Sequence, residues 1–193
     1  MGEFISSFLL NFLAELGDKT QLISFLLAGN YGLLATSTGV LLAVVLLHGI
    51  AVGAGWLLQS LLSNRSVINL MAGVVFLMFG FLILINKDEK EDDFKLKKQP
   101  GFPLFQIALL FFVAELGDKT QIATMIKATT SRGILLTYLG AVSGFFLSNF
   151  IGIFLGNLFK ERLEEKKLRL VGAAVFIAFG TFYLIKTLLN QAS

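Results

Sequence analysis

Two identical octapeptides, at residues 14–21 and 114–121, place charged side chains inside long apolar stretches of the chain. Each reads Ala-Glu-Leu-Gly-Asp-Lys-Thr-Gln and so supplies two acids, one base and one amide. At the centre of a membrane-spanning helix each charged residue costs about 2.5–3.5 kcal/mol, so one copy costs about 8–10 kcal/mol. Charged residues at that depth face protein or water and serve ions or protons. The repeated motif therefore predicts a polar site inside a membrane protein.

The charges of the two motifs do not cancel, which predicts a site for a cation. Four carboxylates against two lysines leave a charge of minus two when all six groups are ionised. One divalent cation or two protons would neutralise it, and repulsion between the acids favours proton uptake when the cation is absent. This competition is the chemical basis of an antiporter. The candidate ligands are Glu15, Asp18, Glu115 and Asp118, and the candidate counter-ions or gating residues are Lys19 and Lys119.

Further polar residues are candidates for completing this site. The amides of Gln21 and Gln121 are either additional ligands, since oxygen donors suit hard cations such as Ca²⁺ or Mn²⁺, or hydrogen-bond partners between helices. His48 aligns with Asn149 in the second half, and both are candidates for supporting the site, although a buried histidine is more often a satisfied hydrogen-bonding residue. With no Cys and one His in the chain, a copper or zinc site is disfavoured.

The helical geometry of the motif depends on whether the chain stays regular there. At about 100° per residue, Asn11 and Glu15 share one face with the charged residues of the first motif. Thr20 would point away from Glu15 on a regular helix, whereas unwinding at the motif glycine would turn it toward the site. Thr20 and Thr120 are therefore candidates for supporting the site only if the helix breaks.

Composition assigns the chain to the all-α integral membrane proteins. It has 193 residues, 55% of them hydrophobic, with 20 Phe and a mean hydropathy of +0.79. The net charge of +3 does not indicate nucleic acid as a partner, because the basic residues lie in loops beside apolar segments. The first apolar segment lacks a basic leader and carries the motif, so we expect it in the mature protein. Membrane lipid is the expected surrounding.

Six membrane spans are expected, each long enough for a hydrocarbon core of about 30 Å. They form two three-helix repeats, residues 1–86 and 102–193, joined by a charged linker at 87–101 that we place in the cytoplasm. The spans run over Phe4–Ala28, Leu33–Leu62, Val67–Ile85, Phe102–Lys127, Gly133–Phe159 and Leu168–Leu189.

The second repeat aligns with the first at an offset of 100 residues, or 101 for the second and fifth spans. Asn11 is one departure, since its counterpart is Phe111. An odd number of spans per repeat makes the two repeats inverted, with their first spans meeting at the membrane midplane. Loops after the third and fifth spans hold ten Lys and Arg residues against four on the opposite face, so both termini are expected outside the cytoplasm.

The Glu-Leu-Gly-Asp-Lys-Thr motif, present twice, resembles that of the Gdt-type family of cation/proton exchangers, which includes human transmembrane protein 165 and bacterial manganese exporters. The resemblance covers nearly the whole chain. It implies exchange of Mn²⁺ or Ca²⁺ for protons, with the acids of both motifs as ligands and no separate cofactor. In its short length the chain is similar to the prokaryotic members of the family, and this resemblance implies manganese export across the inner (plasma) membrane.

Three other classes of function are weighed against this one. An exporter of small organic solutes such as amino acids shares the size but leaves four buried carboxylates without a role. A divalent-cation channel differs only in lacking alternating access, and the sequence does not separate the two. A membrane-embedded hydrolase would need a nucleophile beside a base, and no Ser-His or zinc-ligand constellation stands out, so an enzyme is not expected.

Overall fold

The computed structural model describes residues 1–16, 18–62, 64–85, 103–159 and 165–191, and these residues are organised as helices. The predicted linker at 87–101 lies outside the described residues. The helices are α1 (Gly2–Glu15), α2 (Lys19–Tyr31), α3 (Leu33–Leu61), α4 (Arg65–Ile85), α5 (Pro103–Glu115), α6 (Lys119–Thr130), α7 (Ile134–Phe159) and α8 (Glu165–Gln191).

Each acidic motif interrupts a helix, so the first and fourth predicted spans are each divided in two. In both copies the Asp N–H, at residues 18 and 118, donates to the Glu carbonyl three residues earlier, at 3.2 and 3.1 Å. Gly117 closes the second turn with a φ of +81°, a conformation that an L side chain rarely adopts. The break explains why the chain keeps glycine inside an otherwise apolar helix.

Within the described residues, three helices are long and apolar enough to cross a membrane, namely Leu33–Leu61, Arg65–Ile85 and Ile134–Phe154. They correspond to the second, third and fifth predicted spans. Pro103–Glu115 and Ala173–Leu189 are apolar but shorter. The halves of an interrupted span fall below the length of about 20 residues that a single spanning helix needs.

Most of the exterior of the helices is apolar. Leu34, Phe105, Val113 and Leu188 are each at least 66% exposed. Soluble monomers rarely expose large apolar side chains over contiguous surfaces, whereas helices in a bilayer do so against lipid. The exterior therefore agrees with a membrane protein.

Helices α1 and α2 lie along α7 and run in the same direction as α7. Gly140 of α7 faces Phe4 near the start of α1, where an added Cβ would come within 2.4 Å of the Phe4 carbonyl oxygen. Further along both elements, Gly152 faces Gln21 of α2, and an added Cβ would lie 2.9 Å from its side chain. Glycine at these positions lets the backbones approach closely.

The interrupted span of the second repeat, α5 and α6, packs in the same way against α3 of the first repeat. Gly39 of α3 faces Ile107 of α5, and Gly55 of α3 faces the backbone of Met125 in α6. Helix α3 therefore runs alongside α5 and α6 as α7 runs alongside α1 and α2. No described atom lies within 3.5 Å of a Cβ added to Gly49 or Gly53, so these two glycines do not permit a close helix contact.

Helices α4 and α8 pack against each other through glycines and aromatic rings of both helices. Gly73 and Gly180 meet across this contact, where a Cβ added to Gly73 would lie 3.1 Å from the Gly180 carbonyl oxygen. The rings of Phe76 and Phe176 lie 5.9 Å apart between centroids. This pair also contacts α1 and α6, so the beginning of one interrupted span and the end of the other lie beside it.

Candidate metal centre

Two buried carboxylates and one partly buried carboxylate converge where the two interrupted helices meet. One oxygen from each of Glu15, Glu115 and Asp118 lies within 4.8 Å of the other two. Glu15 and Glu115 end α1 and α5, and they are 0% and 3% exposed. Asp118 precedes α6, and its side chain accepts hydrogen bonds from Thr120 at the backbone N and at Oγ1, at 3.3 and 3.2 Å. Acids from both repeats thus form one cluster.

One oxygen of the Glu15 carboxylate accepts hydrogen bonds, and the other has no hydrogen-bond partner among the described residues. Its Oε1 accepts hydrogen bonds from the Thr20 hydroxyl and from the Asn149 amide, the latter at 3.3 Å. Asn149 in turn accepts a hydrogen bond from Ser24 at 3.2 Å. No described group bonds the buried Oε2 of Glu15. An unpaired carboxylate oxygen without water is costly, so this atom is available to a cation or a proton.

The break in the helix brings the threonines to the acids. On a regular helix Thr20 would face away from Glu15, and the interruption between α1 and α2 is what allows its hydroxyl to reach the carboxylate. Thr120 instead bonds Asp118, at the start of α6. Both threonines are buried, at 2% and 1% exposure, so each supports an acid of the motif.

One lysine lies inside the site as a counter-charge. Lys119 forms an ion pair with Asp18 of the other repeat, and its Nζ lies 3.8 Å from Asp118. The fourth predicted acid, Asp18, is therefore engaged by an ammonium group. The side chain of Lys19 lies outside the described residues.

The two glutamines lie beside the site with their amide groups hydrogen-bonded. Gln21 donates from Nε2 to the carbonyl and the hydroxyl of Ser148, at 2.9 and 2.8 Å. Gln121 accepts a hydrogen bond from the Gly117 N–H at 2.6 Å, and its own N–H group lies 3.4 Å from the Leu47 carbonyl. These contacts link the motifs to α7 and α3, while metal ligation by the glutamines stays a prediction.

His48 lies one helical turn from the acids in a buried polar cluster of its own. Its Nε2 lies 3.2 Å from Asn11 Oδ1, and its Nδ1 lies 3.0 Å from the Val44 carbonyl. Thr124 donates to the same Asn11 oxygen at 2.8 Å. Asn149, the counterpart of His48, contacts Glu15 directly, so the two aligned residues have different partners.

Residues outside the motifs hold the site together, and sequence patterns identify them only in part. Ser24, Ser148 and Thr124 bond site residues, yet single hydroxyls in apolar helices carry little signal. The alignment of Ser24 with Thr124 at the offset of 100 was available in the sequence and would have marked both. Asn11 was visible as a departure from the repeat, and the structure gives it a role as the acceptor for Thr124.

Comparison with known proteins identifies the family. The model of the family described as "Divalent cation/proton antiporter GDT1" matches residues 3–91 and again 103–191, once for each repeat. The chain belongs to the GDT1 family. The family is one of membrane transporters, not enzymes. No solved structure matches the chain.

Relatives in the family come from bacteria and eukaryotes. A Vibrio cholerae protein named "Putative manganese exporter" is 32% identical over 168 residues, covering 86% of this chain and 82% of the relative. A GDT1-like protein of Synechocystis is 31% identical, covering 92% of this chain and 94% of the relative. A GDT1-like protein of Schizosaccharomyces pombe is 25% identical over 89% of this chain and 85% of its own length.

Proposed function

We propose that this protein exchanges a divalent cation, Mn²⁺ or Ca²⁺, for protons across a prokaryotic plasma membrane, and that it exports manganese from the cytoplasm. The observation that carries the proposal is the cluster of Glu15, Glu115 and Asp118, in which acids of both repeats share one buried pocket. The Vibrio cholerae relative's name supports manganese as the ion and export as the direction.

The dimensions of the cluster suit a hard divalent cation. Ca²⁺ binds oxygens at about 2.3–2.6 Å, so opposite ligands of one ion lie about 4.6–5.2 Å apart. Oxygens within 4.8 Å of one another match that diameter, and a smaller ion such as Mn²⁺ requires only a slight contraction. We assign Glu15, Glu115 and Asp118 as ligands, and we propose the side-chain oxygens of Gln21 and Gln121 as additional ligands.

The charge balance supports exchange against protons. The Lys119–Asp18 pair is neutral, and the formal charges of the three remaining acids and of Lys19 add up to minus two. A divalent cation or two protons would balance that charge equally well. When the cation leaves, Lys119 keeps Asp18 compensated, so protonation falls on the other acids. In this scheme Lys119 is a counter-ion, and Asp18 becomes a fourth ligand only when the pair separates.

The packing supports two inverted repeats and six spans. Helices α1 and α2 run parallel to α7, while α7 follows α6 after a loop of three residues, at 131–133, that favours antiparallel neighbours. The span formed by α5 and α6 therefore runs opposite to the span formed by α1 and α2. Together with α3, α4, α7 and α8 this supports an arrangement of six spans, and the excess of Lys and Arg in the loops after the third and fifth spans supports termini outside the cytoplasm.

Reconstitution into proteoliposomes with a pH gradient tests the proposal. Uptake of Mn²⁺, Ca²⁺, Mg²⁺ and an amino acid is compared while internal pH is recorded. We expect uptake of Mn²⁺ or Ca²⁺ coupled to proton counterflow, and none in Glu115→Gln. Cation flux without proton movement would identify a channel, and amino-acid flux would identify a solute exporter. Either outcome would refute exchange.

A further inference from the structure

Helix α1 carries a buried row of polar side chains that leads from its beginning to the acidic cluster. Glu3, Ser7, Asn11 and Glu15 recur at every fourth position, so they share one helix face. Twelve residues of helix span about 18 Å, roughly half of a membrane. Ser7 and Asn11 are both 0% exposed. Polar groups at such depth are costly and mark ion pathways when they occur in membrane helices.

The equivalent row on α5 is apolar. At the offset of 100, the counterparts of Glu3, Ser7 and Asn11 are Pro103, Ile107 and Phe111. Ile107 and Phe111 are 0% exposed and belong to an apolar core. A helix of nearly equal length therefore packs at the equivalent place without polar groups, and the architecture of the repeat does not require the row on α1.

Several neighbouring elements bond the polar side chains of the row. Ser7 donates to the Thr137 carbonyl of α7 at 2.7 Å. Asn11 accepts from Thr124 of α6 at 2.8 Å. These bonds join the two repeats side by side, so the row is covered while the bonds persist. Movement of α1 relative to α6 and α7 would break them together and expose the row.

The outer end of the row is closed by an ion pair. Lys127, 4% exposed in the last turn of α6, pairs with Glu3, whose other oxygen accepts the Arg132 N–H at 3.2 Å. Burial raises the pKa of Glu3, but the hydrogen bond and charge of Lys127 lower it more, so the pKa lies below its ordinary value. The counterpart of Lys127 is Leu27, which is fully buried. Within the described residues, the equivalent position of the second row therefore carries no such ion pair.

We propose that Glu3, Ser7 and Asn11 line the route by which the cation passes between the acidic cluster and the membrane face where α1 begins, and that Lys127 closes this route. The ammonium group of Lys127 occupies the Glu3 carboxylate that a passing cation would otherwise contact. At the inner end, the unpaired Oε2 of Glu15 is the next carboxylate oxygen along the row. The inference rests on the proposed function for its cargo, but the route can be tested without transport.

Cysteine accessibility tests the route, because the chain contains no native cysteine. Ser7→Cys is treated with a small, positively charged, membrane-impermeant thiol reagent from the side where the N-terminus lies. Ile107→Cys is the matched control, equally buried in the equivalent row. We expect Lys127→Met to accelerate labelling at position 7 by about tenfold, the size typical of coupling between a gate and a site, with no change at position 107. Equal rates with and without Lys127→Met would overturn the proposal.

Two further variants separate the causes of each result. Lys127→Arg keeps the charge, so labelling at position 7 should stay near the rate with native Lys127. Acceleration by Lys127→Arg equal to that by Lys127→Met would overturn closure by the ion pair. In Glu15→Gln we expect transport to stop while Lys127→Met still accelerates labelling of Ser7→Cys. Cation/proton exchange without this acceleration would refute the route and leave the proposed function standing. Absence of exchange in the native protein would refute the function.

Discussion

Replacing Glu15 with Gln tests the acidic cluster most directly. The substitution keeps the size of the side chain and the oxygen that accepts from Thr20 and Asn149, but it removes one charge from the site. Glu15 is fully buried, and removing one charge from a buried ionic contact costs about 3–5 kcal/mol. We take about 3.5 kcal/mol as the loss of binding free energy for a divalent ion. That loss corresponds to about 300-fold weaker binding.

Cation-dependent stability measures this loss without requiring transport. At a Mn²⁺ concentration of 100 times the native Kd, binding stabilises the native protein by about 2.7 kcal/mol. At the same concentration, a variant that binds about 300-fold more weakly gains only about 0.2 kcal/mol. Thermal unfolding in detergent, with and without Mn²⁺ or Ca²⁺, should therefore show a shift for the native protein and almost none for Glu15→Gln.

Glu15→Asp provides the matched control because it keeps the charge and shortens the reach. We expect it to retain part of the cation-dependent shift. Without cation, Glu15→Gln should unfold close to the native temperature, since its hydrogen bonds persist. A full Mn²⁺ shift in Glu15→Gln would show that the cluster does not bind the ion, and the reasoning would fail.

Three further outcomes follow from the turn, the ion pair and the topology. Gly117→Ala should lower the free energy of unfolding by about 1–2 kcal/mol, because φ is +81° while the added Cβ meets no atom within 4 Å. Gly29→Ala is the control, because an added Cβ is equally uncrowded there but the backbone is that of an ordinary helix, and it should not lower the free energy of unfolding. Equal losses in the two variants would contradict a backbone cause. Glu3→Gln should lower the free energy of unfolding by its full amount above pH 4.5. The difference from the native protein should disappear as the pH falls below that value, because the pKa of Glu3 is lowered in the folded state. A difference in unfolding temperature that persists at low pH would argue against the ion pair. A cysteine at Lys95 should react from the cytoplasmic side and one at Ser193 from outside, and the reverse labelling would refute the orientation.

The convergence of the acids was predictable from the sequence, and its details were not. An exact repeat of eight residues in a chain expected to have three spans per half predicts that Glu15 and Glu115 come together, since inverted repeats place equivalent helices at the midplane. Whether Thr20 reaches Glu15 depends on where the helix breaks. Periodicity cannot answer that, because a helical wheel assumes a regular helix.

Long-range pairing is the part that the sequence left undetermined. Lys127 is one of the four basic residues on the membrane face with fewer positive charges. A lysine at the end of a span usually reaches water, so the sequence predicts no buried partner for it. In the structure it is buried against Glu3, which lies 124 positions away in the chain. Nothing in the local sequence of either residue specifies that contact. The ion pair of Asp18 with Lys119, which lies 101 positions away, was undetermined for the same reason.

On the proposed route, the ion pair of Lys127 with Glu3 would give the two sides of the membrane unequal kinetics. An exchanger built from interchangeable halves would spend equal time open to either side when no gradient is applied. A salt link that closes one side without an equivalent on the other would lengthen the dwell time in the state closed to that side. Such rectification changes rates and occupancies, while the direction of net flux is still set by the two ion gradients. The proposed closure would thus give the duplicated chain a kinetic polarity through residues that lie outside the duplicated motif.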